Sequence, residues 1–379
     1  MFGTVVIMRG PAGDRTALGA LATVALAMVV TVASLVFGAS AASAQDVPPP
    51  PLPKAYVLVD VDTGNVLAGQ DARQARYPAS TIKLFTALIA AQRLPAGDVI
   101  PISSRAESMP ARKMNVKVGQ LWTLSDLMYA MLMVSANDAA VAIAERIGDG
   151  SLDGWTAVAQ ETAERLGLAD RPVLSDPAGL DDLQFSNGGG SIISARDLAI
   201  VGRAVLARPD LMAMLQTPHY EFIGGDNIGH KLTNQDLFLS LYSGATGMKT
   251  GATDKAGRTF VGSATREGRT MLVVVIDAVD PLRSAALLLD QGFATPVASE
   301  PTTDVLPPVV PDAALTPIAA PADEVAAGSN GGTGSRSGSS ALDSPPVAFG
   351  IFVLGLVLLV LVRRAMLDHF EQQQRERFT

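Results

Sequence analysis

Residues Tyr77 to Ala90, YPASTIKLFTALIA, leave the backbone few choices. Pro78 disfavours helix at Tyr77 and suits the mouth of one. Beyond it Ile82, Phe85, Leu88 and Ile89 recur at helical spacing, which predicts a buried helix starting near Ala79 or Ser80. The Ser80 hydroxyl then lies in the first turn, where unpaired N–H groups and the helix dipole favour negative charge. Lys83 falls three residues on, on the same face and within reach of that hydroxyl. Set among Ile82, Leu84 and Phe85, its amine is poorly solvated, which lowers its pKa toward a neutral base. Ser80 is therefore a candidate nucleophile and Lys83 its base. Ser-x-x-Lys alone is weak, since Ser80 as a plain cap and Lys83 as a solvated side chain satisfy it equally well.

The ends of the chain differ from its middle. Residues 17–37 are almost wholly apolar, preceded by Arg9 and Arg15 and followed by Ala42-Ser43-Ala44. That order predicts an export signal over 1–44, cut after Ala44, with an uncleaved anchor as the alternative. A Pro-rich lead, 45–54, follows. Residues 295–346 are rich in Pro, Ala, Gly, Ser and acid, the composition of a flexible linker. An unbroken apolar run at 347–362 is slightly short of the about 20 residues of a typical span but can be extended by its flanks. Arg363 and Arg364 place the tail, 363–379, in the cytoplasm. The expectation is a protein of the cell membrane with one span near its C-terminus and its folded part outside the cytoplasm.

That folded part contains no cysteine, so neither a thiol nucleophile nor a thiolate zinc site is available, and an exported domain must rely on an ordinary core. The net charge of −8 argues against nucleic acid as a partner. Three histidines and no His-Glu-x-x-His pattern argue against a zinc hydrolase. No cofactor or metal is called for.

Within residues 55–294 a strand is predicted at 55–60 and a return strand at 66–68, with a turn at Asp62-Thr63-Gly64-Asn65. Small strands and loops are expected over 99–121. Helices are expected at 124–133, 139–147, 155–166 and 194–206, with a loop rich in Asp, Gly and Asn at 175–190. Two β-rich runs, 259–265 and 270–276, form a hairpin, and a last helix covers 283–293. Strands at both ends and helices between predict an α+β domain whose terminal segments meet in one antiparallel sheet.

Three motifs stand in order: Ser80-Thr81-Ile82-Lys83, Ser135-Ala136-Asn137 and Lys249-Thr250-Gly251. Jointly, in these helix and strand contexts, they make a strong signal. The chain resembles the penicillin-binding protein and serine β-lactamase superfamily, and within it the low-molecular-mass D-alanyl-D-alanine carboxypeptidases. Flanking residues match too: Tyr77-Pro78-Ala79 before the first motif, Val134 and Asp138-Ala139 around the second. The run Gly244 to Thr253, with Ala256-Gly257, matches around the third. The resemblance covers about 55–294 and implies a sheet flanked by helices with a mostly helical subdomain. It implies a substrate, the peptidoglycan stem peptide ending in D-Ala-D-Ala, and β-lactams as covalent inhibitors.

Chemistry assigns the roles. Ser80 forms an acyl-enzyme while Lys83 takes its proton. The backbone N–H groups of Ser80 and Ala252 would hold the oxyanion. Lys249 keeps Lys83 neutral by repulsion and attracts the terminal carboxylate. Ser135 relays the proton to the departing amine and Asn137 holds the substrate's amide; the plainer reading of both is a loop capping the next helix. Thr250 and Thr253 offer hydroxyls to the carboxylate, and Gly251 avoids a side chain that would block pairing along the strand edge. The resemblance adds an arginine at the head of the last helix that grips this carboxylate, and Arg283 occupies that place. A class A β-lactamase would need a glutamate followed four residues later by asparagine between the second and third motifs; Glu145, Glu161, Glu164 and Glu221 all lack it. A non-catalytic cell-wall binder has no need of Ser80, Lys83 and Lys249, and a Ser-His-Asp esterase has only His219 and His230 in this domain.

Overall fold

The computed structural model describes residues 48–301 and 303–309. The expected signal, span and cytoplasmic tail, and most of the expected linker, lie outside these residues.

Strand β1 (Ala55–Asp60) pairs with β2 (Val66–Gln70) on one side and, across the whole domain, with β9 (Arg269–Ala278) on the other. The sheet is completed by β8 (Gly257–Arg266) and β7 (Ala245–Thr253) in the antiparallel order β2-β1-β9-β8-β7. The terminal segments thus meet in one sheet. Strands β1 and β9 are apolar over most of their length because both faces of the sheet are covered. Val57, Val59, Leu272, Val274 and Ile276 join the core beneath the helical lobe, while Leu58, Met271, Val273 and Val275 pack on α9 (Pro281–Ala294) through Leu288 and Leu289. The alternation is the period-2 geometry of a strand written into two cores.

Between the strands lies the helical lobe. A 3-10 turn, Ala79–Ile82, runs into α1 (Lys83–Arg93), which is buried along nearly its whole length. The 99–123 region forms a small pair, β3 (Val99–Pro101) with β4 (Leu121–Thr123), enclosing a short helix α2 (Ser104–Ser108). Helices α3 (Leu124–Met133) and α4 (Asn137–Ile147) follow, broken at 134–136, then α5 (Leu152–Leu166), which stops at Gly167 in the left-handed region that glycine favours. Helix α6 (Ala195–Leu206) is capped by Ser194 and lies under the sheet, with Gly202 against Leu272. Helix α7 (Pro209–Gln216), the hairpin β5 (His219–Ile223) and β6 (Gly229–Thr233), and the single turn α8 (Phe238–Leu241) complete it.

The expected linker does not begin at 295. Glu300 is buried, where it accepts from Thr63 Oγ1, Asn65 Nδ2 and Arg269, which also holds Asp60. Val305 bridges to Asn65, Leu306 enters the core, and the Pro307 carbonyl accepts from Arg203. Composition missed this strap because its anchors are few and scattered, Glu300, Asp304 with Arg196, and Leu306, in a stretch otherwise made of small residues, Pro, Thr and Val.

Candidate active site

The 3-10 turn that carries Ser80 is fixed from three sides. The Pro78 carbonyl accepts from Thr81 Oγ1 at 2.7 Å and from Thr259 Oγ1 of β8 at 2.9 Å. On the third side Gly179 comes so close that a Cβ there would stand 1.9 Å from the Ala79 carbonyl oxygen. Ala79 itself has φ +49°, in the region non-glycine residues avoid. Ser80 does not cap the helix; it stands one tight turn before it. Its side chain opens on a cleft of about 1000 Å³ between the sheet and the helical lobe.

Lys83 is wholly buried, and its Nζ lies 2.9 Å from Ser80 Oγ, 2.8 Å from Asn137 Oδ1 and 2.5 Å from the Ala178 carbonyl. The last two atoms can only accept. A neutral amine has two N–H groups, which these acceptors occupy, and its lone pair is then left for the Ser80 hydroxyl. Burial holds the Lys83 pKa well below the ordinary lysine value, and the nearby charges of Lys249 and Arg112 lower it further against the opposing pull of Asp176 and Asp138. Lys249 is also buried, and burial brings it down to about 8, with Asp236 opposing.

Ser135 sits at φ +62° in the break between α3 and α4, and lines the cleft with Asn137. Strain of this kind, of order 1–3 kcal/mol per residue, persists where the surroundings fix it, as they do at Ala79 and Ser135. Asn137 gives one N–H to the Pro110 carbonyl at 3.1 Å, leaving its second for a ligand. Thr250, Gly251, Ala252 and Thr253 form the opposite wall.

The structure adds detail at three of the expected residues. Gly251 lies against the Ser80 turn as well as the cleft, since a Cβ there would meet Thr259 Oγ1 at 2.5 Å and the Ser80 nitrogen at 2.8 Å. The Thr253 hydroxyl is engaged with the Asp181 carboxylate, and accepts from the Ala256 nitrogen, so it braces the end of the strand. The lining of the cleft includes Asp280, Pro281 and Leu282 at the head of α9, the helix that carries Arg283. The arginines that line the cleft are Arg258, on β8 opposite Ala252, and Arg112.

Sequence reasoning also missed Asp176. Its buried carboxylate gathers the backbone N–H groups of Ala178, Gly179, Leu180 and Asn187 at 2.7–3.0 Å and so folds the 175–190 loop that delivers the Ala178 carbonyl to Lys83. Burial raises its pKa against these bonds. The only signal was a Ser-Asp-Pro-Ala-Gly run, which reads as any turn. Among the described residues, no glutamate lines the cleft. His230 pairs with Asp226 at 3.0 Å in the β5–β6 hairpin, apart from the residues that line it.

With this geometry in hand, comparisons with known proteins converge. The family model Peptidase_S11, D-alanyl-D-alanine carboxypeptidase, matches residues 43–280. D-alanyl-D-alanine carboxypeptidase DacB2 of Mycobacterium tuberculosis is 35% identical over 245 residues, covering 63% of this chain and 81% of the relative. The crystal structure of a D-alanyl-D-alanine carboxypeptidase from Mycobacterium tuberculosis H37Rv superimposes with TM-score 0.62 at 33% identity, over 68% of this chain and 97% of that one. Penicillin-binding protein D2 of Listeria monocytogenes, solved in an ampicillin-bound form, gives 0.55 at 26% identity, over 65% and 99%. Other matched carboxypeptidases are longer, and this chain spans 55–66% of their length.

Proposed function

The chain belongs to the D-alanyl-D-alanine carboxypeptidase family, and from that premise we propose that it removes the terminal D-alanine of peptidoglycan stem peptides through an acyl-enzyme on Ser80. The observation that carries this reading is the setting of Lys83, whose buried Nζ lies 2.9 Å from Ser80 Oγ and is held there by the Asn137 Oδ1 and Ala178 carbonyl acceptors.

Ser80 Oγ attacks the carbonyl between the two D-alanines and its proton passes to Lys83 Nζ. The new C–O bond leaves a tetrahedral oxyanion, which the N–H groups of Ser80 and Ala252 receive. Ser135, on the cleft wall, takes the proton from Lys83 and hands it to the departing nitrogen as the C–N bond breaks and D-alanine leaves. Water then repeats the sequence on the ester, returning the proton to Ser80. Asn137 holds the substrate's amide and Lys249 draws its terminal carboxylate. Penicillins, which carry a strained amide and a carboxylate, enter as substrates of the first half-reaction. With no glutamate on the cleft wall to drive water onto the ester, they leave slowly, which disfavours a β-lactamase.

Export through residues 1–44 and anchoring through 347–362 would hold this domain at the outer face of the cell membrane, within reach of the cell wall. Mass spectrometry of a pentapeptide ending in D-Ala-D-Ala, incubated with the protein, should show loss of one alanine. Fluorescent penicillin should label the wild type, Ser80→Ala not at all, and Lys83→Ala barely. Labelling of Ser80→Ala would refute the nucleophile, and an unlabelled wild type would point to a non-catalytic cell-wall binder.

A further inference from the structure

Arg112 stands on the wall of the cleft opposite the sheet, on a loop that the protein holds rigidly. Its carbonyl accepts from the Asn137 nitrogen at 2.8 Å, and the neighbouring Pro110 carbonyl accepts from the Asn137 side chain. Two residues on, Met114 N and Val116 N donate to the buried Asp138 carboxylate at 3.0 and 3.2 Å. The loop is thus tied to the first turn of α4, the same turn that presents Asn137 to Lys83.

The guanidinium on this fixed loop is exposed to the cleft and pairs with no carboxylate among the described residues. Arg73, Arg93 and Arg146, also exposed, each meet an acid at 2.8–3.1 Å, while Arg258 across the cleft, like Arg112, has no ion pair among the described residues. The charge of Arg112 is felt by both Lys83 and Lys249, which places it within electrostatic reach of the reacting centre. A preorganised cation in that position suits an anionic ligand group. It is not the terminal carboxylate, which belongs at the sheet wall with Thr250 and Arg258. Arg112 lies on the Asn137 side, toward the acyl part of the peptide.

We propose that Arg112 receives a second carboxylate of the substrate, on the side chain of the residue preceding the two D-alanines. The inference rests on the carboxypeptidase reading and specifies the peptide that site prefers, one bearing a free carboxylate there rather than a carboxamide.

Two synthetic peptides differing only in that group, acid against amide, test it. Wild type should favour the acid in kcat/KM by about tenfold or more, mostly through KM, with the preference shrinking at high salt. Arg112→Gln should reduce the ratio to near one and Arg112→Lys should keep part of it. A loop merely disturbed by substitution would lower both substrates in parallel, and that result, or a ratio preserved in Arg112→Gln, would overturn the proposal. A wild-type ratio near one would do the same while leaving the carboxypeptidase reading intact. Failure of wild type to release D-alanine from either peptide would overturn both.

Discussion

Gly251 is pressed against the nucleophile's own backbone: a Cβ on it would lie 2.8 Å from the Ser80 amide nitrogen. The same methyl would meet Thr259 Oγ1, whose bond to the Pro78 carbonyl anchors the turn. Neither neighbour is the end of a flexible side chain, so the strand and the turn must part. Gly251→Ala should slow acylation by penicillin by about a hundredfold or more, through displacement of Ser80 and the oxyanion donors. Overpacking of this kind destabilises by roughly 1–3 kcal/mol, a loss of a few degrees in Tm. Acylation rates close to wild type in a folded variant would show that the turn yields freely.

Much of this was legible in the sequence. Helical spacing alone put Lys83 beside Ser80, and the strand patterns at both ends predicted the closure of β1 on β9. The residues that were not legible act through the backbone or from a distance in sequence. Ala178 serves through its carbonyl, so no side-chain pattern marks it, and Asp176 acts on the N–H groups of its own loop. Arg258 shares the cleft with Ala252 only because β8 returns alongside β7, a register that motif spacing does not contain. Helix α7 and the β5–β6 hairpin carry mixed polar and apolar residues without a clean period and went unread.

The pH dependence of acylation follows from the two lysines. Lys83 acts as a base only when neutral, so the rate rises as pH passes through its depressed value. Lys249 serves as a cation only while protonated, and with its value near 8 the rate should fall above that pH. The expected profile of second-order acylation is a bell whose two limbs belong to the coupled pair. Lys249→Arg, which does not deprotonate in this range, should remove the alkaline limb even if the peak is lower. A wild-type rate still climbing at pH 10 would contradict the role given to Lys249. Stability carries the same signature with its own sign. Between about 8 and 10.5 the unfolded chain keeps a proton at residue 249 that the folded protein has released, so this group adds stability as pH rises across that window.

The strap after α9 predicts that length matters. A protein ending at Ala294 loses Glu300, the buried acceptor of Arg269, Thr63 and Asn65, together with Leu306 and the Pro307 carbonyl that faces Arg203. Buried arginines that each lose an acceptor, with Arg269 left on Asp60 and Arg203 on the Val61 carbonyl, and an opened core edge should lower Tm by several degrees or more. A protein ending at Val309 should melt like the full folded domain. Leu306→Ala alone should cost about 2–5 kcal/mol, the range for a buried leucine. Equal melting of the 294 and 309 truncations would show that the strap rests on the domain without stabilising it.

Recognition of the terminal carboxylate separates two arginines. Arg258 extends from β8 next to Ala252, lines the cleft, and reaches the Val279 carbonyl at 3.4 Å, just before the helix on which Arg283 stands. It can therefore supply, from a strand, the charge expected from the head of the helix. Arg258→Ala should raise KM for D-Ala-D-Ala peptides by about tenfold or more and slow penicillin acylation similarly, because both ligands present a carboxylate beside the scissile amide. Arg258→Lys should recover part of the loss, as a point charge without the forked geometry. Arg283→Ala, outside the lining, should stay within about twofold of wild type in both assays. The decisive control is a substrate whose terminal carboxylate is replaced by a carboxamide: wild type and Arg258→Ala should then converge. If they remain apart, Arg258 shapes the strand edge rather than reading the charge, and if Arg283→Ala shows the larger loss, the helix holds the receptor after all.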